Sequence, residues 1–235
     1  MTVDVSLFHV DRLDLSFTQK QWLFAQERQS DIAAYFAELQ RQKPAIWNGR
    51  ILLLHRHEVS GGVFRGEYLE TDYASFAAWC AWGLPPAGVS NCFGAAAVVA
   101  ADNAVLLGVM GAHTANAGHI YFPCGTPDPS DIFDGKVDLG ASVARELAEE
   151  TGCEIDAFAV DPGWTVLRQG ERIVQIKILR SAETAAALRA RMLDHLASEE
   201  QPELADIHVV HGPRDYRPEM PPYVIAFLDH HFNRA

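Results

Sequence analysis

Residues 92 to 111, CFGAAAVVAADNAVLLGVMG, set two apolar runs on either side of Ala101-Asp102-Asn103. Short polar side chains such as Asp and Asn bond to nearby backbone and tolerate tight turns, so the stretch predicts a β-hairpin. The pattern recurs. GRILLLHRHEV and VFRGEYLETDY flank SGG, and AFAVDPGWTVLRQGERIVQIKILRS turns back on itself in the same way. VDVSLFHVDRLDLSF alternates apolar and polar residues and predicts one strand; HIYFPCGT and DIHVV predict two more. Helical spacing occupies the intervals. TQKQWLFAQERQSDIAAYFAELQRQK breaks near Ser30-Asp31 and ends at Pro44, and YASFAAWCAWG stops at Gly83. Further helices are predicted at about 140 to 151, over AETAAALRARMLDHLAS, and over PEMPPYVIAFLDHHF. Prominent hairpins among helices favour an α+β chain, an α/β/α sandwich with a mixed sheet, over a doubly wound parallel sheet. A change of texture near residue 92 divides the chain into an N-terminal α+β extension, 1–90, and a catalytic-looking portion, 91–235.

With 235 residues, 49% of them hydrophobic, the chain can bury a sizeable core. It holds 31 acidic against 19 basic residues, a net charge of −12, which argues against general nucleic-acid binding because a phosphate backbone would be repelled. No run of 18 or more apolar residues exists, so no membrane partner is expected. The acidic start, MTVDVSLFHVDRLDL, lacks the features of a signal peptide. Cys80, Cys92, Cys124 and Cys153 form no CxxC pair, which argues against a zinc site and for reduced thiols in a cytoplasmic protein.

The densest chemistry lies in RELAEETGC, residues 145 to 153. On a helix Glu146, Glu149 and Glu150 fall at i, i+3 and i+4 and share a face. A solvated acidic face is the competing reading. Two features weigh against it. The carboxylates sit in the last turns before Gly152, where the helix dipole disfavours negative charge by about 0.3–1 kcal/mol each. Arg145 precedes Glu149 by four residues, the weaker order for an ion pair. Carboxylates gathered at an unfavourable end are explained if a hard divalent cation compensates them.

These residues carry a resemblance. RELAEETGC resembles the second half of the Nudix box, Arg-Glu-apolar-x-Glu-Glu-x-Gly-apolar, at every fixed position, and IYFPCGT is similar to the family's preceding W-x-F/L-P-G-G strand, with Cys124 and Gly125 at its two glycines. The resemblance covers roughly residues 92 to 215. It implies a Nudix-like mixed sheet between helices, and hydrolysis of a nucleoside diphosphate linked to another moiety with Mg²⁺ or Mn²⁺. It implies Glu146, Glu149, Glu150 and the Gly125 carbonyl as metal ligands, Glu146 also as the group that orients or deprotonates water, and Arg145 as the residue that orients the carboxylates. A further acidic ligand from a late loop is implied within SEEQPELADIHVV, where Glu199, Glu200 and Glu203 are candidates and Glu200 is preferred. The first half of the box departs from the family. About 14 positions separate its leading glycine from the arginine, whereas here 145 − 125 = 20, about six more. Val137 and Asp138 stand where a glutamate is found seven or eight residues before the arginine, and Asp138 can replace it as a helix cap or supporting carboxylate.

Among other residues, His113, Asn116 and His119 are candidates to contact phosphate or sugar, against a role in satisfying loop backbone. Arg168 and Arg172 can bind phosphate, against a solvated hairpin tip. Trp47, Trp79, Trp82 and Trp164 can stack on a base or sugar, against burial for most of them. HHF near the C-terminus reads as surface. WNG followed by LETDYASFAAW resembles the N-terminal part of Nudix hydrolases acting on UDP-sugars, implying a nucleotide-sugar substrate and an N-terminal segment that covers the pocket or forms a dimer surface. A homodimer stays open, since dimers are frequent in the family. The alternatives are a Nudix-fold ligand-binding or regulatory domain without catalysis, and a structural domain with a solvated acidic helix.

Overall fold

The computed structural model describes residues 5–44 and 46–233. Val3 and Asp4, the start of the first expected strand, lie outside them, as does the beginning of the segment read for a leader.

The first strand is two: β1 (Val5–Val10) and β2 (Arg12–Phe17), broken at Asp11. They enter different sheets, β1 pairing with a later strand and β2 with its own neighbours. Alternation continues across Asp11, so nothing in the pattern marks the corner. The helical segment is α1 (Leu23–Glu27) and α2 (Gln29–Gln42), broken at Arg28 rather than Ser30-Asp31. Asp31 caps nothing and instead pairs with Arg28 at 2.8 Å. β3 (Arg50–Ser60) and β4 (Val63–Asp72) form the expected hairpin, with Gly61 and Gly62 at φ of 56° and 72° in a turn that suits glycine. α3 (Tyr73–Ala81) follows, capped by Asp72, which accepts from the Ser75 amide.

β5 (Asn91–Val99) and β6 (Val105–Met110) form the second hairpin, with Asn103 in the left-handed region at φ 64°. HIYFPCGT is two short strands, β7 (Ile120–Tyr121) on β6 and β8 (Cys124–Gly125) on β5. The long loop that follows is structured. A 3₁₀ turn (Pro129–Asp131) leads into a small hairpin, β9 (Ile132–Phe133) and β10 (Lys136–Val137), and then α4 (Leu139–Thr151). Next come β11 (Ala159–Val160), β12 (Trp164–Gln169), β13 (Arg172–Arg180), α5 (Ala185–Ser198), β14 (Leu204–Val210) and α6 (Pro222–Asn233).

Among the described residues the larger sheet runs β1-β12-β13-β5-β6-β14, with β11, β7 and β8 paired alongside, and is mixed because β13 and β5 are parallel. The smaller runs β3-β4-β2-β10-β9. Strand alternation puts helices on both faces of the larger sheet. Phe93 meets Tyr223 of α6, and its neighbour Gly94 faces Val143 and Leu139 of α4 so closely that a Cβ would not fit. This is the expected α/β/α sandwich. The same alternation divides β3: Leu52 and Leu54 join the main core with Ala95 and Val98, and Ile51 and Leu53 pack with Trp22 and Trp79. The smaller sheet thus shares one face with the main core and is covered on the other by α1 and α3. β1 lies in the larger sheet and β9 and β10 in the smaller, so the chain crosses between the two sheets more than once. No helix among the described residues is long and apolar enough to cross a membrane.

Candidate functional site

α4 carries RELAEET. Its N-cap is Asp138, whose carboxylate accepts from the Gly140 and Ala141 amides at 2.9 and 3.0 Å, fulfilling the capping role expected of it. Gly152 ends the helix in the left-handed conformation at φ 67°. His195 of α5 lies within 3.1 Å of the Glu149 carbonyl, placing a polar ring at a helix end that has no basic residue of its own.

The three glutamates are graded by depth. Glu149 is exposed, Glu146 is mostly covered, and Glu150 is 3% exposed. Neither Glu150 oxygen has a hydrogen-bond partner. Burial, then the negative charges of Glu203 and Glu146, push its carboxyl well above the ordinary range; the Cys124 backbone opposes them without reaching hydrogen-bond geometry. Burial also raises Glu146 to about 7, although Arg145 pulls it down. Gly125 lies directly against the Glu146 carboxylate, leaving no room for a Cβ. A side chain at this position would displace the end of the Glu146 side chain.

Arg145 bonds Glu146 at 2.6 Å, approaches Glu149 at 3.5 Å, and contacts both oxygens of Asp131 at 3.2 and 3.4 Å. Burial works against its charge, but Glu146, Asp131 and Glu149 outweigh that and raise its pKa. Asp131 is 2% exposed and also accepts from the Asp128 amide. Asp131 therefore takes the supporting position beside Arg145, and Asp138 the cap, of the two roles expected of Asp138. The β9–β10 hairpin, 132 to 137, lies between them, its ends joined by the Asp138 amide donating to the Asp131 carbonyl at 2.9 Å.

Glu200 and Glu203 are both exposed, on the loop before β14. Of the two, Glu203 has the charge that helps raise Glu150 and Glu146, so it joins Glu200 as a candidate for the distant acid. Burial raises Glu203 in turn, with His113 opposing. His113 thus stands beside the acidic cluster. Asn116 and His119 line an adjacent cleft of about 710 Å³, together with Cys124 and Gly125. Asn116 donates to the Tyr121 hydroxyl and His119 contacts the Asn116 carbonyl, so both also serve the loop. Arg168 is elsewhere: it lines a separate groove with Ser6 and His57. Arg172, read as part of a hairpin tip, lines the cleft instead. Trp79 and Trp164 are buried, Trp82 is half-buried, and Trp47 is 76% exposed. His231, read as surface, is half-buried against Phe227 and the Asn103 carbonyl. All four cysteines are free.

A hard divalent cation fits this donor set. Glu150 presents two buried oxygens without partners, and its neighbours are carboxylates and a close glycine backbone. Among the described residues, however, no three His, Cys, Asp or Glu side chains are already gathered to hold a metal. Arg145 bonds Glu146 and approaches Glu149.

No protein-family model and no curated protein matches the chain. Among solved structures, it is similar to a Nudix hydrolase from M. smegmatis, RenU, at 15% identity and a TM-score of 0.39, over 61% of this chain and 83% of that one. It is similar to a MutT protein from Methanosarcina mazei Go1 at 17% identity and a TM-score of 0.41, over 62% of this chain and 96% of that one.

Proposed function

We propose that the chain is a Nudix-type hydrolase that uses Mg²⁺ or Mn²⁺ to cleave a diphosphate bond in a nucleoside diphosphate linked to another moiety. The observation that carries this is Glu150, a carboxylate held in the interior with two unpartnered oxygens beside Glu146 and Glu203. A buried carboxylate without partners is costly, and a structural role gives no return for that cost. Glu146, Glu149, Glu150 and the Gly125 carbonyl would hold the cation, with Glu203 adjoining them. When bound, such a cation neutralises diphosphate charge and lowers the pKa of bound water. Arg145, anchored by Asp131, sets the directions of Glu146 and Glu149. Glu146, raised to about 7 and lying against Gly125, would orient or deprotonate the attacking water.

The test is turnover of a nucleoside-diphosphate panel, nucleotide sugars included, with Mg²⁺ or Mn²⁺. Phosphate-bearing products from some member, lost in Glu150→Gln and Glu149→Gln, are expected. No turnover together with no calorimetric cation binding would sink the proposal. The second reading is a ligand-binding domain without catalysis, favoured by the hold of Arg145 on Glu146 and Glu149. Binding of a panel member without turnover would select it.

A further inference from the structure

The cleft beside Gly125 is walled by two parts of the chain that lie far apart in sequence. On one side stand Tyr35 of α2 with Tyr73 and Phe76 of α3; on the other stand Asn91, Arg172 and Tyr223. Arg172 and Asn91 are register partners on the adjacent parallel strands β13 and β5, so their side chains emerge together on one face. Two observations there point to a ligand. The Asn91 side-chain oxygen is buried and has no hydrogen-bond partner. Arg172 makes no hydrogen bond or ion pair among the described residues, and its guanidinium stands 5.8 Å from the Tyr223 ring centroid. No acidic side chain pairs with this arginine among the described residues, in a chain of net charge −12. The cleft reaches Cys124 and Gly125, and Gly125 lies against the Glu146 carboxylate, so the cleft adjoins the acidic cluster.

We propose that this cleft binds the nucleoside monophosphate part of the substrate, with Arg172 pairing its phosphate, the Asn91 oxygen accepting a hydrogen bond from a hydroxyl or amine, and the rings of α2 and α3 covering its flat base. The inference rests on the hydrolase reading for its substrate class. It gives the N-terminal extension a wall of the site. A planar fork of donors suits a phosphate oxygen pair, and aromatic faces suit a base of any identity. Arg172 is then a binding residue that discriminates phosphorylated from neutral ligands, because its charge is left uncompensated when no anion enters.

The experiment is calorimetric titration of the full chain with AMP and with adenosine, in EDTA, for the wild type, Arg172→Gln and Arg172→Lys. Arg172→Lys guards against a folding defect, since it keeps the charge and most of the stem. The wild type is expected to bind AMP at least about tenfold more tightly than adenosine, a preference lost in Arg172→Gln and partly kept in Arg172→Lys. Equal affinities in the wild type, an unchanged preference in Arg172→Gln, or no AMP binding would each overturn the inference. No divalent ion or turnover is involved. A retained preference with no hydrolysis of any panel member therefore selects the ligand-binding reading and leaves this inference standing, and hydrolysis without the preference sinks this inference alone.

Discussion

Metal-free wild type should lose stability relative to Glu146→Gln as pH rises from about 4.5 to about 7. Glu146 is raised from an ordinary 4.5 to about 7, chiefly by burial. The folded state therefore binds this proton more tightly than the unfolded chain does. Below the unfolded pKa both states carry the proton and there is no penalty. Through the window the unfolded chain ionises first, and above about 7 the penalty is complete. A rise from 4.5 to about 7, at about 1.36 kcal/mol per pH unit, amounts to about 3 kcal/mol. The pull of Arg145 is already contained in that value, and Glu150 acts in the same direction. The assay is urea unfolding in EDTA at pH 5 and pH 8. Glu146→Gln should exceed wild type at pH 8 by up to about 3 kcal/mol while matching it near pH 5. Adding Mg²⁺ at pH 8 should raise the wild type and raise the variant less. A Glu146→Gln protein less stable than wild type at pH 8 in EDTA would refute the reasoning, because Glu146 would then be a net contributor to the fold.

Gly125→Ala should leave the unfolding midpoint nearly unchanged, because the new methyl meets only the end of the Glu146 side chain, yet weaken calorimetric Mg²⁺ or Mn²⁺ affinity by roughly tenfold or more by displacing that carboxylate. Asp131→Ala should cost about 2–3 kcal/mol in urea unfolding: Asp131 is almost wholly buried, but Arg145 is partly exposed and keeps Glu146.

What was legible in the sequence is what local chemistry decides. The Gly61-Gly62 and Asp102-Asn103 turns, the Asp138 cap, the Gly152 stop and the spacing of Glu146, Glu149 and Glu150 each depend on a few neighbouring residues. The rest depends on pairings made at a distance. The break at Asp11 is fixed by where β1 and β2 find partners, Gln169 to Trp164 and Val63 to Tyr68, and alternation cannot carry that. Arg172 reads as a hairpin tip until β5 is placed beside it. Glu203 and Glu200 are equivalent in a string and differ only once β14 is laid against β6, where the Gly111 amide donates to the Glu203 carbonyl at 2.8 Å. Asp131 is marked by nothing local, because the β9–β10 hairpin separates it in sequence from Arg145, the residue it contacts.

The inserted hairpin also explains how a segment before residue 90 bears on chemistry near residue 150. The Leu52 amide of β3 donates to the Pro127 carbonyl at 2.7 Å, and the Phe17 amide donates to the Gly135 carbonyl at 2.9 Å. Lys136 pairs with Ser16 in the smaller sheet and bonds the Asp14 carboxylate at 2.8 Å. The loop from Gly125 to α4 is therefore laced to β2 and β3 on both sides of Asp131. Asp131 holds Arg145, and Arg145 holds Glu146. A long unstructured loop would cost this chain of contacts its rigidity. Here residues 132 to 137 form strands, and the N-terminal sheet fixes the arginine that contacts Glu146. The extension is thus part of the scaffold of the acidic site as well as a wall of the cleft beside it. Its removal would loosen the position of Glu146 before it touched any glutamate directly.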